Sequence, residues 1–171
     1  GDALLIGGMQ DNGTWGSQSN AADEEWVELF GGDGSYNALT YNSIYVSAQE
    51  GQMRRFALNE AGTNYVFQGD VSPSTDDAEF LFINPFIYDP VNQDRLYVAA
   101  KGKVYYTNDI RTNPAEGDWN EIPIGTGSTD FVSALAASTQ PEGVLYFGTR
   151  TGKVYKVNDI NALAEAVEVT G

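Results

Sequence analysis

Two glycine-rich stretches hold the residues of this chain whose types and spacing could do chemistry: Gly7-Gly8-Met9-Gln10-Asp11-Asn12-Gly13-Thr14-Trp15 and Gly31-Gly32-Asp33-Gly34. A glycosidase needs two carboxylates about 5 to 10 Å apart, one as acid and one as base or nucleophile. If the chain is a hydrolase, Asp11 and Asp33 are that pair. With Gln10 and Asn12 they could equally bind sugar hydroxyls without turnover, and Trp15 could stack on a sugar ring. The ligand-binding candidates are therefore Gln10, Asp11, Asn12, Trp15 and Asp33. The structural reading of the same residues is that Asp and Asn side chains bond nearby amides and hold turns whose glycines supply positive φ. No metal site is assigned and no cofactor is expected, calcium being the cation that such carboxylates could hold.

Composition removes most other chemistry. The chain has 171 residues, no Cys and no His. Disulfides, thiolate metal sites, cysteine nucleophiles, Ser-His-Asp triads and His-ligated metals are all excluded. Nine Lys and Arg against 24 Asp and Glu give a net charge of -15. That surplus repels nucleic acid and otherwise marks a well-solvated surface. A sialidase would need three arginines around a substrate carboxylate, but adjacent Arg54 and Arg55 alternate across a strand and cannot share a face. No apolar run approaches the ~20 residues of a membrane helix. Nothing at the start reads as a signal peptide, and the chain opens on the apolar run Ala3 to Ile6 as though cut from something longer.

The elements that must position these residues come from an internal repeat. Four segments share three apolar residues followed by two small ones: Leu4 to Gly8, Ile44 to Ala48, Leu96 to Ala100 and Leu145 to Thr149. Their spacing falls around the ~40 to 50 residues of a four-stranded propeller blade. A turn glycine follows each (Gly13, Gly51, Gly102, Gly152), then a return strand, which is the pattern of a hairpin. Gly102-Lys103-Val104-Tyr105 is matched by Gly152-Lys153-Val154-Tyr155. A third strand starts at Trp26, Tyr65, Trp119 and Ala166, where the aromatics are expected to pack between neighbouring blades. Trp15 does not recur. A fourth strand is visible in Tyr36 to Tyr41, Phe80 to Tyr88 and Phe131 to Ser138, and a short helical turn is expected over Ile160 to Ala166, capped by Asn158 or Asp159.

The fold class is thus all-β, a single segment of β-propeller blades of four antiparallel strands, about three and a half to four in number. The units read as 4-41, 44-88, 96-138 and 145-171, the last without its fourth strand. Leu4, Ile44, Leu96 and Leu145 should begin equivalent innermost or near-innermost strands. Propellers close with about four to eight blades, so the remainder of a larger propeller is an expected partner.

The turn Gln10-Asp11-Asn12-Gly13-Thr14, the turn Gly31-Gly32-Asp33-Gly34 and the segment Ile44 to Arg55, with its Gln49-x-Gly51-x-x-Arg54 pattern, resemble the sortilin-type and Asp-box propellers of large secreted bacterial proteins. Asn84-Pro85-Phe86-Ile87-Tyr88-Asp89-Pro90 is similar to that group's interblade segment. A true Asp-box is not present, because Asn113 to Trp119 keeps only its Gly and Trp. The resemblance implies a secreted or cell-surface module, non-enzymatic, that binds glycan or protein partners or acts as scaffold. Its alternative implication is part of a glycoside hydrolase of the xyloglucanase type. A shared fold by itself transmits no chemistry.

Overall fold

A computed structural model describes residues 5–17, 25–40, 42–60, 64–162 and 165–170. They form four antiparallel sheets, each a meander in chain order. Sheet I is β1 (Leu5–Met9), β2 (Gly13–Ser17) and β3 (Val27–Phe30). Sheet II is β4 (Asn37–Leu39), β5 (Ser43–Ser47), β6 (Met53–Leu58) and β7 (Tyr65–Asp70). Sheet III is β8 (Phe86–Tyr88), β9 (Leu96–Ala100), β10 (Lys103–Thr107) and β11 (Asn120–Pro123). Sheet IV is β12 (Val132–Ala137), β13 (Leu145–Thr149), β14 (Val154–Val157) and β15 (Val167–Glu168). Among the described residues the only helical segments are three-residue 3-10 turns.

The apolar openings follow from how the sheets stack. Successive side chains of a strand point to opposite faces. In β9, Leu96, Val98 and Ala100 pack with Tyr45 and Met53 of sheet II, while Tyr97 and Ala99 pack with Leu145 and Phe147 of sheet IV. Every residue of β9 is buried as a result, and a strand covered on both sides reads as an unbroken apolar run. A third core joins sheets I and II through Phe30, Ile44, Val46 and Phe56. The three cores lie between successive sheets, so the molecule is a stack in the order I, II, III, IV.

The period of the repeat is as expected, but its frame differs. The strands expected to end the units 4-41, 44-88 and 96-138 pair instead with the opening strand that follows. Leu39 lies opposite Ile44, Tyr88 opposite Leu96 and Ala137 opposite Leu145. Leu39, Tyr88 and Ala137 are each separated from the following strand by a shorter loop than the one that precedes their own strand. Closing a hairpin over the shorter loop costs less chain entropy. The sheets consequently span 5–30, 37–70, 86–123 and 132–168, and sheet IV has its four strands. The deficit falls on sheet I, with three among the described residues. The strands β5, β9 and β13, which carry Ile44, Leu96 and Leu145, are each second in their sheet.

The first opening also shifts by one residue. Ile6 pairs with Gly16, Gly8 pairs with Thr14, and Ile6 packs on the Ile44 and Val46 cluster. Leu5 rather than Leu4 is therefore the counterpart of Ile44, and a one-residue slip exchanges the faces of every side chain. Leu4, Tyr41 and Gly171 lie outside the described residues. Of the turn expected over Ile160 to Ala166, residues 160–162 form a turn in which Asp159 Oδ1 accepts from the amides of Asn161 and Ala162, and 163–164 lie outside the described residues.

Candidate functional site

One end of the stack is built from the hairpin tips that follow the opening strands, each held by the segment that leads into the next sheet. Gly13 N donates to Gly32 O and Gly34 N to Met9 O. In sheet II the tip is the 3-10 turn Gln49–Gly51, whose Glu50 N donates to Phe82 O. In sheet III Gly102 N donates to Asp130 O, and Lys101 N to Glu79 O. Burying these main-chain groups against each other satisfies donors that a bare loop would leave to water.

The five sequence candidates lie at the tip of sheet I. Asp33 Oδ1 accepts from the Asp11 amide at 2.8 Å. Asp11 has φ of 61°, a left-handed conformation that costs a non-glycine residue energy and needs outside support. Asn12 Nδ2 donates to Gln10 O at 3.1 Å, and Trp15 Nε1 donates to Asn12 O at 2.6 Å, which fixes the indole against its own hairpin. The structure thus gathers Gln10, Asp11, Asn12, Trp15 and Asp33 into one cluster whose hydrogen bonds are the turn-holding bonds of Asx residues. Gln49, which the sequence showed only as part of the Gln-x-Gly-x-x-Arg pattern, takes a role that the pattern did not give. Its Oε1 accepts from the Asp33 amide at 2.8 Å and sits against Gly32, tying the tip of sheet II to that of sheet I. The local pattern names the glutamine but not its partner, which lies sixteen residues upstream.

Around this cluster the surface is apolar as well as acidic. Met9, Phe82 and Ile83 are exposed, and Phe82 adjoins Glu50 through the main chain. Further along, Lys103 Nζ lies 3.0 Å from Glu79 and 2.8 Å from Glu121, and the Tyr105 hydroxyl donates to Glu79 at 2.6 Å. Burial opposes ionisation of Glu79, but the bonds from Tyr105 and Lys103 outweigh it and hold its carboxyl below the ordinary range. Burial and the bond to Glu79 push the Tyr105 hydroxyl up to about 12. Among the described residues no three carboxylates converge as a metal centre would require.

The arginines are dispersed. Arg54 lies over the Phe30 ring at 4.0 Å and bonds Asp70, facing sheet I. Arg55, on the opposite face as strand alternation requires, donates to Asn113 Oδ1 of sheet III at 2.9 Å. Arg95 is buried with Asp89 and Asn108 and reaches Asn161 of the next sheet. Arg111 pairs with Asp94, and Arg150 lies near Phe131. No three of them face a common point. The tryptophans also divide: Trp119 is buried between sheets II and III as expected, whereas Trp26 is exposed, because among the described residues no sheet covers that side of sheet I.

A stack of meandering antiparallel sheets is shared with known structures. A chain of "COPII on membranes, outer coat vertex" superposes with TM-score 0.70 at 13% identity, over 98% of this chain and 47% of that one. A chain of "The structure of the COPII coat assembled on membranes" gives TM-score 0.70 at 13% identity, over 98% and 26%. The fold is that of β-propeller blades. The chain spans less than half the length of these neighbours, and at such identity the likeness speaks for the propeller fold alone. No family model matches the sequence. No curated protein matches it either. Among the described residues no helix of the propeller is long and apolar enough to cross a membrane.

Proposed function

We propose that this propeller is a non-enzymatic binding module of a secreted or cell-surface protein, of the sortilin-type and Asp-box group, which presents its hairpin-tip end to a protein or glycan partner. The observation that carries this reading is the use made of Asp33. Its carboxylate holds the Asp11 amide, so the best-placed pair of acids serves the turn. Beside that rigid platform stand Met9, Phe82 and Ile83, exposed apolar side chains of the kind that partners cover. The two structural neighbours are chains of a coat assembled on membranes, which agrees with a protein partner. The remainder of a larger ring is a second partner.

The test is a screen of the chain against microbial and plant glycans and against purified extracellular domains. Binding that is lost in Phe82→Asp but kept in a variant at the far end, Val91→Asp, supports the module. Turnover of a polysaccharide that disappears in Asp11→Asn or Asp33→Asn would overturn it in favour of the glycoside hydrolase.

A further inference from the structure

One position of the repeat departs from its counterparts. Opposite the third residue of the opening strand stand Trp15 in sheet I, Tyr105 in sheet III and Tyr155 in sheet IV, but Arg54 in sheet II. Tyr105 lies beside Phe80, and Tyr155 stacks on Phe147. Arg54 also keeps rings as neighbours, its guanidinium standing 4.0 Å from the centroid of Phe30 and 5.6 Å from that of Phe67. It brings five N–H donors where each counterpart brings one. Of these only Nε–H is used, donating to Asp70 Oδ1 at 3.0 Å. Both terminal nitrogens of Arg54 and the Oδ2 of Asp70 have no partner among the described residues.

Arg54 and Asp70 line a groove of about 370 Å³, within the range of small-molecule sites. Sheet I supplies Phe30 to it, and sheet III supplies Pro114 and Glu116 from the loop between β10 and β11. Its walls are held in place. Ser72 Oγ accepts from the Met53 amide at 2.9 Å, and the Glu116 carboxylate accepts from the amide and the hydroxyl of Thr75 at 3.4 and 3.2 Å. A site already in shape loses less freedom when it binds. Phe30, Met53 and Pro114 make part of the lining apolar. Arg54 and Asp70 cancel each other's charge and Glu116 leaves one negative charge over, which disfavours an anion. What remains is a donor beside an acceptor, and a hydroxyl is both at once. Two adjacent hydroxyls on an uncharged ring match that pair. We propose that this groove binds a neutral glycan, one sugar unit placing neighbouring hydroxyls on Arg54 and Asp70 and its C–H face against the apolar lining. The proposal rests on the binding-module reading, but none of Met9, Phe82 and Ile83 lines the groove, so either can fail alone.

The experiment is calorimetric titration of the chain with neutral cello-, manno- and xylo-oligosaccharides, with oligogalacturonate and spermidine as charged probes and circular dichroism to confirm folding. At least one neutral oligosaccharide should bind. Its affinity should fall about ten- to a hundredfold in Arg54→Tyr, which restores the ring of the other sheets, and in Asp70→Asn, the worth of a hydrogen bond to a charged group. The Asp70 side chain is 71% exposed, so Asp70→Asn decides the matter even where Arg54→Tyr does not fold. Phe82→Asp should bind as the wild type does, which separates this groove from the hairpin-tip surface. The proposal is overturned if no neutral oligosaccharide binds at millimolar concentration, if binding is unchanged in Asp70→Asn or abolished in Phe82→Asp, or if oligogalacturonate or spermidine binds in preference.

Discussion

The backbone amide of Asp11 and the carboxylate of Asp33 are joined across 22 residues by a hydrogen bond of 2.8 Å, and Asp33 is in turn held by Gln49 of the next sheet. The most distinctive pair of acids in the chain thus clasps a turn to the segment that leads out of its sheet.

Removing the clasp should cost stability. A hydrogen bond to a charged group contributes about 1.5 to 3 kcal/mol, and its exposed setting puts Asp33→Ala near the lower end of that range. Asp11→Gly should be neutral or stabilising by about 0.5 kcal/mol, since glycine adopts the left-handed backbone freely. Urea denaturation of the two variants reads the difference, and equal losses would contradict this account of the turn.

Two glycines with the same backbone sign test packing against conformation. Gly152 has φ of 87° and open space around it, so Gly152→Ala should cost about 1 kcal/mol for the backbone alone. At Gly51, φ of 73° is combined with the Phe80 ring 2.4 Å from where a Cβ would stand. Gly51→Ala should lose about 1 to 3 kcal/mol more, the cost of overpacking. Thermal or denaturant melts of both variants check the order.

Arg95 and Asp89 form a buried pair that also engages Tyr97, Asn108 and Asn161. Arg95→Met leaves the Asp89 carboxylate buried without its cation and cuts the tie to the fourth sheet, for a loss of about 3 to 5 kcal/mol. A loss under about 1 kcal/mol, the value of an exposed pair, would contradict it.

The same carboxylate sets an acid limit. Burial disfavours the charged form of Asp89, but the amides of Asn92 and Val91, the Tyr97 hydroxyl and Arg95 prevail and lower its pKa. A group whose pKa is lower folded than unfolded stabilises fully above its unfolded value of about 3.9, and loses that contribution as pH falls through the folded value. Wild-type stability should drop below about pH 4 more steeply than that of Asp89→Asn, followed by denaturant midpoints across that range.

The tryptophans at one repeat position should separate by context. Trp119→Ala empties a covered site and should cost about 3 to 5 kcal/mol. Trp26→Ala should stay within about 0.5 kcal/mol, as exposed substitutions do. Denaturation of both in dilute solution gives the comparison.

The sequence alone determined the repeat, its apolar openings, the hairpins after them and the absence of every His- or Cys-based chemistry. These are local or compositional facts: Leu96 to Ala100 declares a strand covered on both faces by its own residues, and Arg54 and Arg55 part across a strand by geometry. What the sequence left open was the frame of the repeat, because a periodic pattern has no marked start. Tertiary pairing decided that Tyr88 belongs with Leu96 and that Leu5, not Leu4, answers Ile44. Only the stack could show which equivalent positions are covered, burying Trp119 while leaving Trp26 in water. Only it could bring Gln49 to Asp33, since a contact between separate sheets leaves no trace in the spacing of either residue.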